Sequence, residues 1–212
     1  MQFGAVATAK NAHGRGLSRL LMEHVLQLYP NRPAYLAANE GVTDFYPKFG
    51  FRQVQTYTAS ICYSQKVFDT KSPRAVKLDI DDEIVTHTLN SRGAFSNLVD
   101  CTNAPSIQMF HFIMQYHDDI YHLPHLNTVV IAQQTSNNLF LADVISHNKI
   151  TLDEILATLP CTGIDTIEFG FCPDWLGVTP NWTPTDMASN PFFIRGNWDL
   201  PEYFMFPATS ET

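Results

Sequence analysis

Two glycines separated by an arginine, in His13-Gly14-Arg15-Gly16-Leu17-Ser18, are the residues of this chain best suited to hold an anion. They lie between a short apolar segment, Met1 to Thr8, and an apolar-periodic run that starts at Leu17. A strand that enters a glycine-rich turn and then a helix offers backbone N–H groups and the positive helix end to a ligand. A pyrophosphate can be held in this way without many basic side chains. Glycine suits such a turn because a Cβ would block phosphate contact or forbid a positive φ. Arg15 and Arg19 are the only cations nearby, and His13 either contacts phosphate or lies on the surface. On spacing alone the loop fits an ordinary strand-to-helix turn equally well.

Other constellations are weaker. Asp118 and His122, four apart on a predicted helix, with His125 beyond, have the spacing of a metal pair. Pro124 interrupts the helix and no third ligand stands at a telling distance, so polar packing is preferred and no metal is expected. His111 and His117 read as surface or satisfied core histidines. Asp79, Asp81, Asp82 and Glu83 read as a solvated helix start, favoured by the dipole, and not as a calcium loop. Cys62, Cys101, Cys161 and Cys172 form no CxxC pair, which fits scattered reduced thiols better than a disulfide frame or a zinc site. The sequon Asn181-Trp182-Thr183 carries no weight in a cytosolic protein.

The elements that must position these residues follow from periodicity and breakers. Met1 to Thr8 reads as a strand, and Leu17, Leu20, Leu21, Val25 and Leu28 recur at helical spacing until Pro30. Ala34 to Ala38 reads as a buried strand, Val42 to Lys48 as a short helix closed by Gly50, and Phe51 to Tyr63 as one or two strands. The polar stretch 68–73, with Ser72-Pro73, is the candidate linker. Beyond it a strand is predicted at Arg74 to Ile80 and helices at Asp81 to Asn90 and Ser106 to Tyr121. The second helix is expected to bury Ile107, Phe110, Met114 and Tyr121. A hairpin of Thr128 to Gln133 with Leu139 to Ile145, a helix over Leu152 to Leu159 capped by Thr151 or Asn148, and strands at Ile164 to Phe171 and Phe192 to Arg195 complete the pattern.

The loop in its context resembles the GNAT superfamily of N-acetyltransferases. Val6-Ala7-Thr8, then His13-Gly14-Arg15-Gly16-Leu17-Ser18 and Arg19-Leu20-Leu21, is similar to the signature R/Q-x-x-G-x-G/A between the fourth strand and third helix of that fold. His13 stands where Arg or Gln is usual, and Ser18 where Gly or Ala is usual. Leu36-Ala37-Ala38-Asn39 followed by Asp44-Phe45-Tyr46-Pro47-Lys48-Phe49-Gly50-Phe51 resembles the family's later motif, an Asn ending the fifth strand and then Y-x-K-x-G-F.

The resemblance implies an α/β fold with a mixed α+β sheet and acetyl-CoA as cosubstrate. The pyrophosphate would lie on the amides from Arg15 to Arg19, which include those of Gly16, Leu17 and Ser18, beside Gly14 and His13. Val6 to Thr8 would run along the pantetheine, with Asn39 near the same arm. Tyr46 would be the general acid, since a phenol beside a thiolate of comparable pKa can return a proton to it. Phe45, Phe49 and Phe51 read as core aromatics, which is the competing reading for Tyr46. The acceptor would be a small-molecule or peptide amine.

The resemblance covers about residues 1–65 and begins in the middle of the GNAT fold. The elements that usually wall the acceptor and supply the general base have no counterpart, so no base can be named. An edge strand left open calls for a partner. Strands from the second half, a second copy in a homodimer, or a longer parent chain could each answer that need, and truncation is the expected case. Residues 1–67 are thus read as a partial GNAT domain and 74–212 as a second α/β domain, structural or substrate-shaping. That domain shares the coarse element order of a degenerate GNAT-like unit.

Bulk properties agree with a folded enzyme-sized chain. The 212 residues suffice for one large or two modest cores, and 45% hydrophobic with 16% charged residues is a globular composition. A net charge of −8 argues against nucleic acid as a partner. No stretch of about 18 apolar residues and no signal-peptide layout appears, so the expected location is the cytoplasm, without a membrane partner.

Overall fold

In the computed structural model, which describes residues 1–64 and 74–210, the predicted helix after Gly16 forms as α1 (Leu17–Leu28). The linker predicted at 68–73 lies outside the described residues. Met1 to Thr8 is not a strand. Only Gln2 bridges Tyr35, in parallel, through Phe3 N to Tyr35 O and Tyr35 N to Met1 O, both 3.0 Å. The small residues Gly4, Ala5 and Ala7 offer little side-chain packing to hold a longer pairing, and Ala5 takes a positive φ of 50°.

The strands that follow are β1 (Ala34–Ala37), β2 (Arg52–Val54) and β3 (Tyr57–Cys62). Between β1 and β2 the chain makes one-turn 3-10 helices at Glu40–Val42 and Tyr46–Phe49, in place of a single helix over Val42 to Lys48. Next come β4 (Val76–Lys77), α2 (Glu83–Asn90), α3 (Pro105–Gln115), β5 (Ile120–Leu123), β6 (Thr128–Thr135) and β7 (Asn138–Ile145). The chain ends with α4 (Leu152–Leu156), β8 (Thr166–Phe169), β9 (Asn181–Pro184) and β10 (Phe192–Arg195). Thr151 caps α4 through a capping box with Glu154, as the Thr-x-x-Glu spacing dictates.

Two compact units result. One holds Met1–Thr56 and Pro184–Leu200, the other Tyr57–Thr183 and Pro201–Ser210. In the first, β10 lies between β1 and β2 and pairs antiparallel with both, Leu36 opposite Phe193 and Val54 opposite Phe192. The tail strand is therefore the centre of the first sheet. Met22 and Leu26 of α1 pack on Ala34, Leu36, Phe49, Phe51 and Phe193. The helix turns a different face to the sheet from the one predicted, because Leu17, Leu20, Leu21 and Leu28 are all exposed. With apolar residues around most of its circumference, α1 has no unique apolar stripe. A hydroxyl pair between Ser18 and Thr8 accompanies the orientation it adopts.

The second unit is built on a seven-stranded mixed sheet, ordered β4-β5-β6-β7-β8-β3-β9, with β7 and β8 parallel. Alternate residues of β6 enter separate cores. Val129 and Ile131 face α2 and α3, while Val130 and Ala132 face the core that holds Leu152, Ile155 and Leu156 of α4. The helix predicted over Ser106 to Tyr121 stops at Gln115, and Ile120–Leu123 pairs with β6 instead. Its buried face carries Gln108, His111 and Phe112, leaving Phe110 and Met114 exposed against expectation.

Gln108 of that face has a buried partner. Asp143 on β7 is fully buried and accepts from Arg92 at 2.8 Å, Thr209 at 2.7 Å, Gln108 at 3.3 Å and its neighbour amide Val144 at 2.8 Å. Burial would lower the Arg92 pKa, but Asp143 and Asp100 more than offset it and raise it, so the guanidinium stays charged. Removing one partner of such a pair strands a buried charge. Asp143→Ala is expected to lower the unfolding free energy of this unit by about 3–5 kcal/mol, measured by urea denaturation. Asp143→Asn should cost less, because the amide oxygen still accepts.

Candidate functional site

The segment from Gly4 leaves β1 and turns through a 3-10 helix at Lys10–Ala12 into the glycine loop. His13 Nε2 donates to Thr8 O at 2.8 Å, and the Thr8 and Ser18 hydroxyls hydrogen-bond, so the loop is tied at both ends. Gly14 has φ 75° and Gly16, the N-cap of α1, has φ 72°. Both lie where an L side chain is strained. Leu20 N bonds to Gly16 O, which leaves the amides of the first turn, Leu17 to Arg19, without helical acceptors. Those amides and the helix dipole make the N-terminus of α1 electropositive.

Two cavities meet at this loop. The first, of about 580 Å³, is lined by Thr8, His13, Gly14, Gly16, Leu17, Ser18, Arg19 and Lys48, with Ala12 and Phe45. The second, of about 460 Å³, is lined by Phe3 to Ala7, including Val6, and by Ala37, Asn39, Val42 and Tyr46. Ser18 and Phe45 line both. Of the residues singled out from sequence, Arg15 alone lines neither cavity and is exposed. Among the described residues no carboxylate lines either one, so their lining is locally positive in an acidic chain.

Lys48 is the cation that the sequence reading missed. It sits two residues after Tyr46 on the same 3-10 turn, the Lys of the Y-x-K pattern already noted. Arg19 is less free than it seemed, since its Nε lies 3.9 Å from Glu23, in an exposed pair worth little to stability. Ala12 and Phe45 are further lining residues that no charge or spacing signal marks.

Tyr46 is 7% exposed and packs against Phe45, Phe193 and Phe51, with ring centroids 5.3, 5.6 and 6.2 Å away. Burial raises its pKa above the ordinary phenol value, so it holds its proton through the neutral range. No hydrogen-bond partner for its hydroxyl occurs among the described residues. The paired cavities suit an elongated ligand with an anionic end at the loop and an apolar arm reaching a phenol and the amide of Asn39.

The alternative metal pair does not assemble. Asp118 lies in the turn after α3 and pairs with His117 at 3.2 Å, while His122 is on β5, so no helix face joins them. Burial lowers the His122 pKa. Among the described residues no group of three His, Cys, Asp or Glu side chains is placed to hold a metal ion. No helix among them is long and apolar enough to cross a membrane.

Residues 2–51 match the model of the acetyltransferase (GNAT) family. No curated protein matches the chain. Among solved structures, it is similar to a GCN5-related N-acetyltransferase from Kribbella flavida, at 15% identity and TM-score 0.50, over 92% of this chain and 52% of that one. It is also similar to a conserved protein of unknown function from Enterococcus faecalis, a probable N-acyltransferase. There the identity is 15% and the TM-score 0.51, over 92% of this chain and 53% of that one. The chain therefore spans about half the length of these structures. The family match is confined to residues 2–51, which hold the glycine loop, and the likeness to these structures is one of fold.

Proposed function

We propose that the chain is an acyltransferase that moves an acetyl group from acetyl-CoA to a small-molecule or peptide amine. The observation that carries this reading is the pair of cavities joined at Ser18 and Phe45, with the positive-φ glycines at one end and buried Tyr46 at the other. The amides of Leu17 to Arg19, with Lys48 and Arg19, suit the phosphates. Val6 to Thr8 and Asn39 border the cavity that would take the pantetheine arm. The amine, as its free base, attacks the thioester carbonyl directly, and collapse of the tetrahedral intermediate expels the thiolate, which takes the proton of Tyr46; the surplus proton on nitrogen passes to solvent, and solvent returns one to the phenolate.

A second reading is a CoA-binding protein without catalysis. It is favoured by the lining of the second cavity, where no carboxylate or imidazole stands among the described residues to deprotonate an amine.

Calorimetry with acetyl-CoA tests the shared part of both readings, and absence of binding sinks them together. Lys48→Gln is expected to weaken CoA binding about tenfold, the loss of one charge-assisted contact. Tyr46→Phe should keep CoA affinity and lower kcat for thiol release, with an amine panel, by about 10²-fold or more. The raised pKa of Tyr46 places the loss of wild-type rate above the ordinary phenol range, as the acid is deprotonated. That alkaline limb should vanish in the Phe variant. Equal thiol release by both proteins would leave only the silent binder.

A further inference from the structure

At the other end of β1 from Asn39, the first unit holds a separate cleft of about 570 Å³. It lies where the turn after α1, the turn Phe49-Gly50 and the end of β10 meet, and its charged lining residues are Arg32 and Arg195. Arg195 is half-buried and held in place. Its Nε donates to Phe49 O at 3.1 Å and its Nη1 to Pro30 O at 3.5 Å, while its own carbonyl accepts from Trp198 Nε1 at 3.1 Å. A guanidinium has five N–H donors, so three remain after those two bonds. Among the described residues neither Arg32 nor Arg195 forms an ion pair with a carboxylate, in a chain whose acidic residues outnumber its basic ones by 21 to 13.

Both glycines of the lining take positive φ. Gly50, at φ 80°, lacks a Cβ that would stand 3.8 Å from Arg195 Nε, and Gly196, at φ 88°, lacks one that would press to 3.3 Å on Pro33 Cα. A fixed, partly desolvated guanidinium fork beside a second arginine, with no acid among the described residues that line the space, matches the geometry of an oxyanion. We infer that this cleft is an anion-binding site for the phosphate or carboxylate head of a small molecule. The volume exceeds that of a lone phosphate, which leaves room for an organic remainder. The inference is independent of the acetyl-CoA reading, because the two sites share no lining residue.

The test is a titration of the whole ¹⁵N-labelled chain with sodium phosphate and, separately, sodium acetate, with ionic strength held constant by chloride. Gly50 and Gly196 amide signals report the cleft, and those of Gly14 and Gly16 report the loop. Saturable shifts at Gly50 and Gly196 are expected, weakened about fivefold or more in Arg32→Gln, an exposed position whose change leaves the fold intact. Arg195→Lys keeps the charge but loses the fork, and should weaken binding at least as much. Tighter phosphate binding identifies a phosphorylated ligand, and tighter acetate binding a carboxylate. Non-saturating shifts at Gly50 and Gly196, or saturable ones that Arg32→Gln leaves unchanged, overturn the inference. Shifts confined to Gly14 and Gly16 overturn it too, while leaving the loop's anion site standing.

Discussion

Pairing of β10 with β1 on one edge and β2 on the other is the constraint on which the candidate site depends. β1 ends two residues before Asn39, and β2 begins three residues after the turn that carries Tyr46 and Lys48. These two strands have no direct pairing, so the strand between them fixes the distance from Asn39 to Tyr46. The same strand supplies Phe193, which packs on the Tyr46 ring, and Arg195, which holds Phe49 at the end of that turn. One four-residue segment from the tail thus sets both the frame and the wall of the phenol.

Charge at the site is local and largely borne by the backbone. A chain of net charge −8 repels anions at long range, but screening confines that repulsion to about 8–10 Å at ordinary ionic strength. Within that distance the free amides at the start of α1, Lys48 and a lining without acids among the described residues decide the sign. Positive φ at Gly14 and Gly16 aims the loop so that those amides border the cavity. The phenol is tuned the other way, since aromatic packing withholds solvent from Tyr46 and keeps it neutral.

The second unit shows a different solution to burying polarity. α3 places Gln108 and His111 inward and Phe110 and Met114 outward, which is unfavourable by transfer energy alone. The buried carboxylate of Asp143 compensates by collecting Arg92, Gln108 and Thr209 from three separate parts of the chain. Removing one partner of such an ion pair would leave the other charge buried and unpaired.

By itself the sequence determined the features that depend on neighbours along the chain. The glycine loop, the start and end of α1, the stop at Gly50 and the hairpin of β6 and β7 follow from local backbone geometry and formed where their residues predicted, and of the two caps offered for α4 Thr151 is the one used. The tertiary structure decided what depends on partners distant in sequence. The face of α1 that is buried differs from the predicted one, with Met22 and Leu26 inward and Leu17, Leu20, Leu21 and Leu28 exposed. The strand-like Met1 to Thr8 stayed irregular beyond one bridge, since a strand forms only where pairing continues. Lys48 joined the lining of the first cavity because a 3-10 turn projects it there, and β10 entered the first sheet across more than 130 residues of intervening chain. Local propensity is written in adjacent residues, whereas pairing and burial are settled by competition among all surfaces of the folded chain.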